Sequence, residues 1–242
     1  MKKIRDAFRM MCVFIRLVFE MLKHYFSLND DLQNNFIICK KICRRVVRSA
    51  RIQLQIQDKE NLGQHEPFLL VSNHRCFFDV VFLLAAVERP IRFVAAKELL
   101  SYPILRKYLN SIQCVTLDRY TKKISKIKKS VTDMKTALAS GNLVLFPEGE
   151  CSYYDRRMKK FKKGGFMGVS ELGTRIIPTF ISMDKIQNIG RWMIPQGEVR
   201  IIFGEGFYPN EIPKGHNVPG ELAVYSQQKV LELQEMTEKG IS

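Results

Sequence analysis

A histidine and an aspartate stand five residues apart in the stretch Asn73-His74-Arg75-Cys76-Phe77-Phe78-Asp79, directly after the apolar run Phe68-Leu69-Leu70-Val71. An imidazole with one nitrogen held by a carboxylate has a fixed tautomer, and its other nitrogen can take a proton from a substrate hydroxyl. The pair therefore reads as a general base with its own orienting group. Residues five apart on an α-helix point about 140° away from each other, so the two cannot both be helical and still meet. This predicts a strand over 68–71, His74 on the loop at its carboxyl end, and Asp79 in the first turn of a helix running toward Val87. Open α/β sheets bind ligands at that edge. Short His and Asp pairs also arise by coincidence, so this one needs a second signal.

The second signal is Phe146-Pro147-Glu148-Gly149-Glu150-Cys151-Ser152, which follows Leu143-Val144-Leu145 and so again lies just past a strand-like run. Together the two stretches resemble the glycerolipid acyltransferases, the family containing bacterial 1-acylglycerol-3-phosphate acyltransferase. Its first motif reads Asn-His-x-x-x-x-Asp and its third Phe-Pro-Glu-Gly. Cys114-Val115-Thr116-Leu117-Asp118-Arg119 looks like the strand that ends in the family's acceptor-binding arginine, and Ile176-Ile177-Pro178 like its fourth motif. Phe161-Lys162-Lys163-Gly164 also sits where the family commonly has such a run. The resemblance covers about residues 68–180, with the blocks in the right order.

What acyl transfer requires can be set against these residues. An acyl thioester is already activated, so an enzyme must deprotonate the acceptor hydroxyl, orient it and stabilise the developing oxyanion. His74 is the expected base and Asp79 its orienter. The acceptor oxygen can attack the thioester directly, so no covalent intermediate is needed. The resemblance further implies that Arg119 pairs with the acceptor's phosphate, a role suited to a planar guanidinium. By the same resemblance Glu148 and Gly149 shape the glycerol site, and Lys97 is a second phosphate contact. No metal or tightly bound cofactor is required. The implied donor is acyl-CoA or acyl carrier protein and the implied acceptor a lysolipid, lysophosphatidic acid first, giving phosphatidic acid for phospholipid biosynthesis. One departure matters: the family's third motif usually continues Thr-Arg-Ser after the glycine, whereas here those first two positions are Glu150 and Cys151. The loss of a cation leaves open a different head group, such as an aminoacyl lysolipid. Arg156, Arg157, Lys160, Lys162 or Lys163 could compensate.

These residues need a frame to hold them. From Arg51 on, strand-like and helix-like stretches alternate, which predicts an α/β domain. Strands are expected at 52–55, 68–71, 92–95, 114–117, 143–146, 176–181 and 199–203. A helix at about 122–139 places Ile124, Ile127, Val131, Met134 and Leu138 on one face, and a last helix covers roughly 220–239. Pro178 inside an apolar run should shape a strand end or bulge. The resemblance implies the family's own version of this fold, a mixed, mostly parallel sheet flanked by helices, preceded by amphipathic helices at a membrane surface.

Charge suggests where such a domain works. The formal net charge of +15 asks for an anionic partner. Residues 1–51 hold twelve Lys or Arg against four Asp or Glu, packed among large apolar residues. The segment 4–26 is apolar but broken by Arg5, Arg9, Arg16, Glu20 and Lys23, so it lacks the roughly 20 uncharged residues of a spanning helix. In the next segment Cys39, Ile42, Cys43, Val46, Val47 and Ala50 repeat at helical spacing, with Lys40, Lys41, Arg44, Arg45, Arg48 and Arg51 on the other face. That pattern predicts an interfacial helix on anionic lipid, the alternative being a helix packed on the catalytic domain with a solvated basic face. The expected organisation is thus 1–50 as amphipathic membrane-associating helices and 51–242 as the catalytic domain, peripheral or monotopic on the cytoplasmic face of the membrane.

Other chemistries fit less well. Cys12, Cys39, Cys43, Cys76, Cys114 and Cys151 show no Cys-x-x-Cys spacing, so zinc and disulfides are not expected. Cys76 and Cys151 fall inside motif loops, where a thiol can in principle carry an acyl group. His24, His65 and His216 have no evident carboxylate partner and read as surface residues. A nucleic-acid binder would explain the charge, but no RNA- or DNA-binding motif is present. A catalytically inactive membrane-binding module would have no need of His74, Asp79, Arg119 and Glu148, all of which are present.

Overall fold

The structure, a computed structural model, describes residues 2–64, 66–118, 121, 123–151, 157–183, 197–212 and 218–239. The strands are β1 Ile52–Gln57, β2 Phe68–Ser72, β3 Ile91–Ala96, β4 Val115–Leu117, β5 Asn142–Leu145, β6 Arg175–Ser182 and β7 Gly197–Phe203. The helices are α1 Lys2–His24, α2 Leu32–Ser49, α3 Asp79–Ala86, α4 Pro103–Ser111, α5 Ile124–Ala139 and α6 Val218–Glu238. All seven strands expected from the sequence form, in one sheet ordered β1-β7-β6-β2-β5-β3-β4. Every neighbouring pair is parallel except β6 with β7.

Strand β2 is buried along its whole length because both faces of the sheet are covered. Successive side chains point to opposite faces. Phe68 and Leu70 join the core under α2 and α3, while Leu69 and Val71 join a second core with Met134 and Leu138 of α5 and Leu222 and Val230 of α6. Parallel registry then sets the carboxyl ends of β2, β5, β3 and β4 along one edge, with Val71 beside Leu145, Phe93 beside Val144 and Ala96 beside Leu117. His74, Glu148 and Lys97 leave the sheet at that edge.

Three local features close the frame. The buried Arg92 side chain donates to the carbonyls of Ala137 and Ser140, satisfying the free end of α5. Pro178 lies within β6, where the ladder with β7 begins, and its carbonyl accepts from Gly204 N at 2.8 Å. A Cβ at Gly204 would lie 3.0 Å from Pro178 Cγ, so the glycine permits this approach. The apolar face expected on α5 is only partly used: Met134, Ala137 and Leu138 are buried, but Ile124 is exposed where the helix starts beyond the sheet.

The second N-terminal helix departs from expectation. The apolar stripe of α2, with Phe36, Cys39, Ile42, Cys43, Val46 and Val47, is buried in the domain core rather than turned to lipid. Periodicity identifies a buried face but not what covers it, and here α1, α3 and β1 do so. Its cations meet acids from other elements. Lys40 is itself buried and pairs with Glu88, which also binds Arg44 and Lys59, and Arg45 reaches the buried Glu20 of α1 at 2.8 Å. The Lys40 hydrogen bond, with Lys59 beside it, outweighs partial burial and holds the Glu88 carboxyl down at about 2. The first helix keeps an apolar face outside. Phe8, Met11, Ile15, Phe19 and Leu22 follow each other at helical spacing and are all exposed, as is Phe26 in the 3-10 turn Tyr25–Ser27 that follows. No helix among the described residues is long and apolar enough to cross a membrane.

Because α2 completes the core, Phe36→Ala should cost about 3–5 kcal/mol of unfolding free energy. Removing residues 1–50 should leave an aggregating remainder. Urea denaturation of the point variant and light scattering of the truncated chain would measure the two effects.

Candidate active site

The chain leaves β2 at Ser72 and turns sharply. Asn73 is buried, and its side-chain amide donates to Ile181 O at 3.0 Å and accepts from Ile181 N at 2.8 Å, fastening the loop to β6. His74 follows on the loop and Asp79 opens α3, as the spacing predicts. Nδ1 of His74 lies 2.7 Å from Asp79 Oδ2. The same oxygen accepts from Arg75 N at 2.6 Å and Cys76 N at 2.9 Å. A fully buried carboxylate is thus satisfied by the loop that it organises. The imidazole stacks on Phe146, with ring centroids 4.2 Å apart, and Phe93 stacks behind Phe146.

The loop after β5 arrives from the adjacent strand. Glu148 is buried, and its two oxygens accept from His74 N at 2.7 Å and from Lys159 N at 2.9 Å. It therefore ties the two motif loops together through their backbones. Gly149 has φ +73°, the left-handed region, and a Cβ there would lie 3.0 Å from Lys162 Nζ, so the turn wants glycine on both counts. Two residues on, Cys151 places Sγ 3.1 Å from His74 Nε2. Asp79, His74 and Cys151 thus form one line through both ring nitrogens. Burial alone would lower the imidazole, but the Asp79 carboxylate and the Cys151 sulfur pull it up from 6.5 to about 10.

His74, Asp79, Glu148 and Gly149 come together. Lys97 lies exposed in a 3-10 turn, Lys97–Ser101, at the end of the neighbouring β3. Arg119 lies outside the described residues, two positions past the end of β4. The backbone partners of Glu148, the Phe146 stack and the Cys151 contact were not apparent in the sequence. The motif positions placed these residues in the right loops without saying which atoms meet. Of the other histidines, His24 does have an acid nearby, Glu20 one turn earlier at 4.0 Å, while His65 and His216 lie outside the described residues. All six cysteines are free.

Both loops fall inside the region that matches a known family. The family described as Acyltransferase matches residues 53–182, more than half of the 242. The chain belongs to the acyltransferase family. It is 28% identical over 156 residues to a chloroplastic 1-acyl-sn-glycerol-3-phosphate acyltransferase of Brassica napus, covering 63% of this chain and 44% of that protein. It is 24% identical over 162 residues to the 1-acyl-sn-glycerol-3-phosphate acyltransferase of Bacillus subtilis strain 168, covering 66% and 77% respectively. The chain thus spans less than half the length of the chloroplast relative. The crystal structure of the 1-acyl-sn-glycerophosphate acyltransferase PlsC from Thermotoga maritima superposes with a TM-score of 0.75 at 22% identity, over 97% of this chain and 98% of that one. That likeness establishes an acyltransferase-type fold from α1 to α6. The family match begins at β1, although α2 before it is part of the same core.

A raised imidazole carries a sign that can be measured. The fold favours protonated His74, so this contribution to stability is complete below the ordinary 6.5 and is lost as pH rises through about 10. The stability difference between the parent and His74→Gln should therefore shrink steadily between those values in urea denaturation at stepped pH. An NMR titration of the ring should give a midpoint well above 6.5, lowered in Asp79→Asn.

Proposed function

We propose that the chain moves a fatty acyl group from an acyl thioester, of coenzyme A or of acyl carrier protein, to the free hydroxyl of lysophosphatidic acid, making phosphatidic acid. The observation that carries this reading is His74 held by Asp79 at the carboxyl edge of the sheet, with Glu148 joining the two motif loops around it. The names of the Brassica and Bacillus relatives support the choice of acceptor. In its neutral form His74 takes the acceptor's proton at Nε2, the freed oxygen attacks the thioester carbonyl, and the imidazolium gives the proton to the leaving thiolate. Asp79 stabilises the charged ring and fixes its orientation. Glu148 and Gly149 shape the acceptor's glycerol site by fixing the loop geometry. Lys97 and Arg119, after the neighbouring strands β3 and β4, are the phosphate contacts.

A second acceptor reading rests on Cys151, which stands where the family usually has arginine. Glu150 beside it is paired with Lys159 at 3.1 Å, so that nearby cation is already partly neutralised. A lysolipid carrying its own cation, such as an aminoacyl lysolipid, suits such a site. The membrane reading rests on α1, whose exposed Phe8 and Phe19 lie on a helix bearing cations, with exposed Phe26 in the 3-10 turn that follows it, a combination that favours an anionic surface. The segment 1–50 then serves two ends, with α1 meeting lipid and α2 completing the domain of residues 51–242.

Transfer of labelled acyl groups to a panel of lysolipids tests the assignment. His74→Ala should lower turnover by roughly 10²–10⁴-fold. Arg119→Ala should cut kcat/KM for lysophosphatidic acid by about tenfold or more, with less effect on the donor. Efficient use of an aminoacyl lysolipid with none of lysophosphatidic acid would favour the second acceptor. Replacing Phe8, Phe19 and Phe26 together by Ser should reduce sedimentation with phosphatidylglycerol vesicles while leaving the denaturation midpoint nearly unchanged.

A further inference from the structure

The thiol of Cys151 occupies the position from which a hydroxyl would have to meet the free nitrogen of His74. Its Sγ lies 3.1 Å from Nε2, while Nδ1 on the far side of the ring is bound by Asp79 at 2.7 Å. A nucleophile bonded to a base whose other nitrogen is oriented by a third group is the arrangement that activates a thiol. Cys151 is neither in a disulfide nor fully buried. By contrast the buried Cys76 sulfur packs in the core and meets the far oxygen of Asp79, at 3.7 Å, and the backbone of Phe78. We propose that Cys151 is a catalytic nucleophile that takes the acyl group from the thioester donor and holds it as an enzyme thioester before the lipid is acylated. This rests on the acyl-transfer reading above and replaces its single displacement with two.

The steps balance. Cys151 and His74 share one proton; with that proton on Nε2, Sγ attacks the donor's carbonyl carbon and a new C–S bond forms. The donor's own C–S bond breaks, and its sulfur leaves as a thiol with the Nε2 proton. His74 is now neutral and facing an acyl thioester. The acceptor hydroxyl gives its proton to Nε2, its oxygen attacks the Cys151 carbonyl, and the C–S bond to the enzyme breaks. The electron pair returns to Sγ, which again shares the Nε2 proton. Exchange of one thioester for another changes no bond type, so the first half is close to thermoneutral. An imidazole raised to about 10 holds its proton at neutral pH, which suits it to protonate the departing donor thiol first and to act as base only afterwards. Phe146, stacked on the ring, keeps Nε2 directed at the sulfur through both steps.

The experiment uses the full chain and hexadecanoyl thioesters of coenzyme A and of acyl carrier protein, without acceptor. Rapid acid quench and intact-mass measurement should show one acyl group on the protein, mapped to Cys151 and released by neutral hydroxylamine. Added lysophosphatidic acid, or whichever lysolipid the panel identifies, should move that group into lipid. Labelled free donor thiol should exchange into the acyl donor with no lipid present, a reaction that requires an acyl-enzyme. Cys151→Ala should lose at least about a hundredfold in turnover and all exchange. Cys151→Ser, which keeps the shape, should retain little exchange and yield at most a hydroxylamine-resistant ester. Lipid formation with no donor-thiol exchange and no acyl-enzyme would overturn the covalent step while leaving the acyltransferase reading intact. So would Cys151→Ala turning over as fast as the parent. Absence of lipid product, exchange and acyl-enzyme with every donor and acceptor would overturn both.

Discussion

A single oxygen atom, Oδ2 of Asp79, gathers the imidazole of His74 and two backbone N–H groups of the loop that precedes its own helix. A buried carboxylate with no partners would be costly, so the fold is stable only if the loop wraps back onto it. Three consequences follow from that constraint. The turn between β2 and α3 is fixed, the tautomer of His74 is fixed, and α3 begins where its buried side can receive α2. The site and the packing of the N-terminal helices are thus set at one point.

The basic character of the N-terminal region divides between two different uses. Glu88 and Glu20 bind cations from α2 and its neighbours, and these pairs hold elements together. The exposed apolar face of α1 takes no part in the core, and it is there that charge and apolar area remain available to a surface. One stretch of sequence with a uniform excess of cations therefore contains both internal fastening and outward-facing surface.

The sheet was legible because buried parallel strands read as short continuous apolar runs, and β2, β5 and β6 are too short for helices and rich in Leu, Ile and Val. The His74 and Asp79 pairing was legible because five residues cannot bring two side chains together except across a turn. The fate of α2 was not, since a stripe of Cys39, Ile42, Val46 and Val47 is equally apolar against lipid and against α3. The bond from His74 N to Glu148 and the contact of Cys151 with Nε2 depend on how two loops more than seventy residues apart settle against each other, which no local pattern encodes. Arg119 stands outside the described residues, and its role is carried by its motif position.

The pair of hydrogen bonds between the Asn73 amide and Ile181 gives the side chain the part of a peptide unit, so the chain can leave the sheet without giving up a rung of the ladder. It also bears on how the protein ages. Asparagine is lost spontaneously when the backbone nitrogen of the next residue attacks the side-chain carbonyl and a succinimide forms. Here that nitrogen belongs to His74 and is bonded to Glu148, while the amide it would have to reach is bonded at both ends to β6. The bonds that aim the histidine also shield its neighbour from deamidation, and the motif loop gains a chemical durability that neither residue would have by itself.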